Sequence, residues 1–183
     1  MEKNITFAST NQNKFLEVQS ILSTRSITVD FYQIPLVEIQ SDSLKEIAEE
    51  KAKTAFAKVG RPVIVEDDGL FIDSLAGFPG QYSSFVFKTI GNDGILKLLA
   101  GSAKRSAYFS SVIAFYNGII LSISDGRVDG RISYRITERG WGYDPIFVPD
   151  GTDLTFAELK KSKNEYSHRK RALEKFAQWY LKL

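Results

Sequence analysis

Val63-Ile64-Val65-Glu66-Asp67-Asp68-Gly69 is the stretch on which the reading of the fold turns. Three consecutive β-branched apolar residues suit a central strand buried on both faces. The run empties without a spacer into three acids, which places Glu66, Asp67 and Asp68 at a strand's C-terminal end. Upstream of it, Leu44, Ile47, Ala48, Ala52, Ala55, Phe56 and Val59 recur at helical spacing, the sign of a helix about 16 residues long. Ser43 with Glu46 three residues on forms a capping-box pattern before that helix, and Gly60 ends it. Earlier still, Ile27 to Tyr32 reads as a strand. Ile5 to Ala8, the polar Ser9-Thr10-Asn11 and the periodic Phe15, Val18, Ile21 and Leu22 read as strand, turn and helix.

Downstream of the acids, a segment punctuated by Gly77, Pro79 and Gly80 precedes a helix expected from Asp93 to Leu99. Ala107 to Tyr116 and Ile119 to Ser124 are β-rich and flank Asn117-Gly118, a dipeptide suited to a two-residue hairpin turn because both positions accept positive φ. Gly130 to Tyr134 is expected to add an edge strand. The last helix begins near Ser167 and buries Leu173, Phe176, Ala177, Tyr180 and Leu181. Strands alternating with helices and then a meander predict an α/β protein with a mixed sheet.

The chain has 183 residues, enough for one domain or two closely fused lobes with a substantial core, and it is treated as a single domain over 1–183. Its 24 basic and 22 acidic residues leave a net charge of +2, too balanced to announce nucleic acid or a membrane surface as partner. With no cysteine there is no disulfide framework, thiolate metal site or cysteine nucleophile. No apolar run approaches the roughly 20 residues that span a bilayer, and the start lacks a signal-peptide pattern. The expected compartment is the cytoplasm.

Four constellations could carry chemistry. Ser9-Thr10-Asn11-Gln12-Asn13-Lys14 sits between a strand and a helix, where free N–H groups hold phosphates; a plain helix cap would use the same residues. The acids Glu66, Asp67 and Asp68, with Glu38 upstream and Asp73 shortly beyond, suit a hard cation such as Mg²⁺ held by one or two carboxylates and substrate phosphates; a solvated turn is the bland alternative. Ser167-His168-Arg169-Lys170-Arg171 puts cations in a helix's first turn, against the macrodipole. A bound polyanion or a solvated basic face would account for them. Gly140-Trp141-Gly142-Tyr143-Asp144-Pro145 can stack a flat ring while its glycines let backbone groups approach, or it can be a structural turn.

On these residues, the chain resembles the inosine triphosphate pyrophosphatase (Ham1/RdgB-type) family over nearly its whole length. The resemblance lies in Ser9 to Lys14, Glu66-Asp67-Asp68-Gly69-Leu70, Gly77-Phe78-Pro79-Gly80-Gln81-Tyr82-Ser83, Trp141 to Phe147 and Lys163-Asn164-Glu165-Tyr166-Ser167-His168-Arg169. It implies a two-lobed α/β fold with a long curved mixed sheet flanked by helices, an active-site cleft between the lobes, and a homodimer. It also implies hydrolysis of the deaminated purine triphosphates ITP, dITP and XTP to monophosphate and pyrophosphate, with Mg²⁺ as cofactor. Ser9, Thr10, Asn11 and Lys14 then match the triphosphate turn, with Lys51 as a further cation. Glu38 and Asp67 match the metal ligands, and Asp67 also the base that activates water. Trp141, Gly142, Tyr143 and Asp144 match the base-binding loop, and Lys163, His168 and Arg169 the residues that close over the nucleotide.

Asp68, counted with the substrate-binding residues, departs from the pattern, since many relatives carry a small hydroxyl residue there. Two other readings compete: a Maf-type pyrophosphatase for modified pyrimidine triphosphates, and a nucleotide-binding module without turnover. The acid set at Glu66 to Asp68 speaks against the module, which needs no activated water.

Overall fold

The structure is a computed structural model and describes residues 3–183. Strand β1 (Lys3–Ser9) pairs in parallel with β2 (Ile27–Gln33), in register from Lys3↔Ile27 to Ser9↔Gln33. Parallel neighbours need a crossover, and α1 (Gln12–Ser23), which packs on both strands, supplies it. This helix starts where the Asn11 side chain accepts the N–H groups of Asn13 and Lys14. Helix α2 (Leu44–Val59) has the expected length and stops at Gly60, which takes the left-handed conformation. Its capping box is half formed: Ser43 Oγ accepts the Glu46 N–H at 3.4 Å. The Glu46 carboxylate goes to Ser41 Oγ at 2.6 Å, and the Ser43 N–H donates to that same hydroxyl oxygen at 3.0 Å.

The acids do not end their strand. Strand β3 runs from Val63 to Ile72, with Glu66 and Asp67 only 4% and 7% exposed inside it. Charge pairing within the fold removes the reason for the chain to turn toward water at this point, and Leu70 and Ile72 return to the core. The distal half pairs antiparallel with β4 (Pro79–Gly80), Leu70 opposite Gly80. Gly69 permits that pairing, because a Cβ there would lie 2.4 Å from the Gly80 carbonyl oxygen.

Helix α3 (Ser83–Thr89) has no counterpart in the sequence reading, and α4 (Gly91–Leu98) starts slightly earlier than expected. The hairpin is present as β5 (Ser106–Tyr116) and β6 (Leu121–Ile132), but residues 117–120 connect it rather than a two-residue turn. Asn117 Oδ1 accepts the N–H groups of Ile119 and Ile120, and the Asn117 N–H donates to the Ile120 carbonyl. This side-chain turn leaves only Gly118 at positive φ. Residues 130–132 belong to β6 itself; the edge position falls to β7 (Phe147–Pro149), antiparallel to them. Short helices α5 (Phe156–Leu159) and α6 (Lys163–Tyr166) lead to α7 (His168–Tyr180). Leu173, Phe176, Ala177 and Tyr180 are buried as expected, whereas Leu181 lies past the helix end and is 45% exposed.

Among the described residues, seven strands form one mixed sheet in the order β2-β1-β3-β5-β6-β7, with β4 added to β3. The chain divides into two compact units. The first comprises the chain up to Asp67, Ser111–Gly126 and Arg169–Leu183, with a core that includes Phe7, Leu22, Ile64, Phe115 and Phe176. The second comprises Asp68–Ser110 and Arg127–His168, built around Leu70, Ile95, Phe109, Ile132 and Phe147. No helix of the described residues is long and apolar enough to cross a membrane.

Candidate active site

In the first unit the organising group is the Lys51 ammonium, carried inward by α2 and 8% exposed. It donates to Glu38 Oε1 at 2.8 Å, Asp67 Oδ1 at 3.0 Å and the Glu66 carbonyl oxygen at 3.1 Å. One cation thereby gathers the two carboxylates expected to bind metal. Asp67 Oδ2 is buried and has no hydrogen-bond partner. Burial raises the Asp67 pKa to about 6; Lys51 and Lys14 pull it down, and Glu38 adds to the rise. A buried carboxylate oxygen without a donor suits a hard cation. Among the described residues no three carboxylates or imidazoles converge into a cage, so an ion here would draw on one or two acids and on phosphate oxygens.

Glu66, the neighbour of Asp67, is enclosed. Ser111 Oγ donates to it at 2.6 Å, and Arg169 Nε donates to both carboxylate oxygens at 2.8 and 2.9 Å. Lys14 Nζ lies 3.7 Å away. Arg169 also donates through Nη1 to Glu17 and is fully buried. The cation that looked misplaced in the first turn of α7 is therefore met by carboxylates of the same unit. In the turn after β1, Ser9 Oγ accepts the Asn11 N–H at 3.1 Å and Asn11 caps α1, while Thr10 is exposed. Asn11 thus does serve as a cap, within a turn that ends on Lys14.

In the second unit, the Trp141-to-Asp144 loop is closed by the Asp144 N–H on the Trp141 carbonyl at 3.2 Å. Gly142 sits at φ +58°, a conformation that strains any residue with a Cβ, and Asn92 Nδ2 donates to its carbonyl at 3.1 Å. Lys163 Nζ donates to Asp144 Oδ2 at 2.7 Å and stands 4.9 Å from the Trp141 ring centre. Trp141, Asp144 and Lys163 form one group. Tyr143 turns away from it into the core: it is 5% exposed, its hydroxyl donates to the Ser83 carbonyl, and its ring meets Phe87 edge-on. Burial pushes its phenol pKa well up. His168 stacks on Phe109, with Nε2 3.9 Å from Asp68 Oδ2.

Glu17, Ser111 and Asn92 were not singled out in the sequence. Glu17 and Arg169 lie 152 positions apart, Ser111 and Glu66 45 apart, and Asn92 and Gly142 50 apart. No local pattern marks such pairs. The one available signal for Glu17 was an acid a single turn beyond Lys14 on α1.

The sequence profile of the Ham1 family matches residues 5–179. The chain is 48% identical over 180 residues to the dITP/XTP pyrophosphatase of Methanopyrus kandleri, covering 96% of this chain and 95% of that protein. It is 45% identical over 177 residues to the dITP/XTP pyrophosphatase of Thermococcus kodakarensis, covering 96% of each. Among solved structures, a HAM1 protein from Coxiella burnetii superposes with a TM-score of 0.85 at 31% identity, covering 99% of this chain and 100% of that one.

Proposed function

The chain belongs to the Ham1 family, and from that premise we propose that it hydrolyses dITP, ITP and XTP to the nucleoside monophosphate and pyrophosphate. The observation that carries this reading is the buried Asp67 carboxylate, joined to Glu38 through Lys51 and retaining one oxygen without a hydrogen bond. Glu38 and Asp67 would hold Mg²⁺, which when bound neutralises phosphate charge and makes a bound water more acidic.

The remaining work falls to the chain's own groups. Ser9, Thr10, Asn11 and Lys14 hold the triphosphate, and Lys51 offsets the charge that develops as the pyrophosphate departs. A water oxygen attacks the α-phosphorus, the bond from that phosphorus to the bridging oxygen breaks, and Asp67 takes the water proton. At the base end, Trp141 stacks on the purine, and the Gly142 N–H, Lys163 and His168 offer donors to the 6-keto edge, while Arg169, fully buried against Glu66 and Glu17, holds the acid cluster rather than the base. Tyr143, held in the core by Ser83, anchors the loop. Adenine would leave those donors facing an amino group, at about 1–3 kcal/mol per buried mismatch.

The test is a panel of ITP, dITP, XTP, ATP, GTP and pyrimidine triphosphates with Mg²⁺, resolving pyrophosphate from orthophosphate. Pyrophosphate release confined to the deaminated purines is expected. Orthophosphate as the primary product, or ATP turned over as well as ITP, would overturn the reading.

The same proposal includes a homodimer. Its support is a run of exposed apolar side chains on and beside α3, namely Phe78, Tyr82, Phe85 and Ile90, with Phe85 67% exposed. That concentration of exposed large hydrophobics in one segment fits a surface covered by a second copy.

A further inference from the structure

His168 is the only histidine in the chain. It is 3% exposed and lies flat on Phe109, with ring centroids 4.6 Å apart and planes within 9°. The Phe156 ring stands 6.1 Å away. Burial among aromatic neighbours by itself favours a neutral imidazole. The structure nevertheless brings a carboxylate to it, Asp68 Oδ2 standing 3.9 Å from Nε2. That distance is too long for a hydrogen bond but within the range over which an acid favours the charged form of its neighbour. The face of Phe109 favours the same form through its ring quadrupole.

Strand geometry explains why Asp68, rather than Asp67, has this role. Successive side chains in β3 point to opposite faces. Asp67 goes to Lys51 on one face, and Asp68 is directed to the other. A serine at this position would offer a dipole but no charge.

We infer that Asp68 is a positioning residue for His168: its carboxylate keeps the imidazole charged and fixed against Phe109, so that the ring meets the nucleotide as an oriented cationic donor. This rests on the reading of His168 as a nucleotide contact given above. A neutral ring in the same place would keep its packing but lose the charge, and with it the attraction to the Asp68 carboxylate.

A single histidine gives one pair of imidazole nitrogen resonances, so the charge state can be read directly from selectively labelled protein. Near neutral pH, the wild type should show the two closely matched nitrogen shifts of an imidazolium. Asp68→Asn and Asp68→Ser should show the widely split pair of a neutral ring, and Asp68→Glu should recover part of the charged pattern. In pyrophosphate release from dITP, Asp68→Asn should raise KM about tenfold while kcat changes by less than about twofold. Identical nitrogen spectra for wild type and Asp68→Asn would overturn the inference. Altered spectra with an unchanged KM would instead overturn the reading of His168 as a nucleotide contact, and with it any role for Asp68 in binding.

Discussion

Asp67 concentrates the consequences that belong to single residues. Asp67→Asn keeps the shape and removes the base, so kcat should fall on the order of 10²-fold or more while nucleotide binding largely survives. Single-turnover kinetics beside a binding titration would separate the two effects; an unchanged kcat would clear Asp67 of the role. The same residue sets a pH dependence. The folded protein holds the Asp67 proton up to about pH 6, whereas the unfolded chain releases it near 3.8. Between those values the folded state carries more protons, so its stability in the absence of metal falls as pH rises through the window. Urea denaturation of the metal-free protein across this range should show that fall in the wild type and a smaller one in Asp67→Asn. Arg169 gives a second residue-scale contrast. Arg169→Ala strips a buried carboxylate of the cation whose Nε meets both its oxygens and should cost about 3–5 kcal/mol. Lys170→Ala should cost less than about 0.5 kcal/mol, since its contact with Glu174 is exposed. Equal denaturation midpoints for the two variants would show that Glu66 does not depend on Arg169.

At the scale of elements, β3 carries the site because it continues past its acids. Val63 to Val65 are buried beside β1, and Leu70 and Phe71 pair with β4, so Glu66, Asp67 and Asp68 are fixed from both ends. Gly69 is the residue that lets β4 approach. Gly69→Ala would drive a methyl group into the Gly80 carbonyl, 2.4 Å from the ideal Cβ. Overpacking of this kind costs about 1–3 kcal/mol. Because β4 also precedes α3, whose Ser83 accepts the Leu70 N–H at 2.8 Å and donates to the Gly80 carbonyl, the damage should reach activity as well. Thermal denaturation together with kcat/KM would check this: both should drop, and a variant as stable and active as wild type would show that β4 can yield at no cost.

For the molecule as a whole, the exposed apolar side chains of residues 78–90 bear on assembly. Phe85→Asp should leave each chain folded, since Phe85 is 67% exposed, and should weaken association of two copies by burying an unpaired charge in their interface. Sedimentation velocity should show a dimer for the wild type and a monomer for the variant at the same concentration. A wild-type monomer, or a variant that dimerises equally well, would remove this face from the interface.

Local patterns were enough to locate most elements. The 3.6-residue period of Leu44 to Val59, the Gly60 stop and the Asn11 cap depend on contacts only a few residues apart, which the sequence displays directly. The same holds for the residue types at the site, since the acids, lysines and the glycine-flanked tryptophan are legible as chemistry. Tertiary structure decided where their charges are met. The sequence reading placed the three acids at the C-terminal end of their strand; the fold keeps the strand going because Lys51 and Arg169, brought from elsewhere in the chain, neutralise Asp67 and Glu66 inside it, and Ser111 donates a hydrogen bond to Glu66. It likewise replaced a two-residue turn at Asn117 with a longer one closed by the asparagine side chain, and drew Tyr143 into the core through Ser83. A charge or hydroxyl carries no mark in the sequence of the distant partner that will satisfy it. Burial of polar groups requires that partner, and only the assembled chain supplies it.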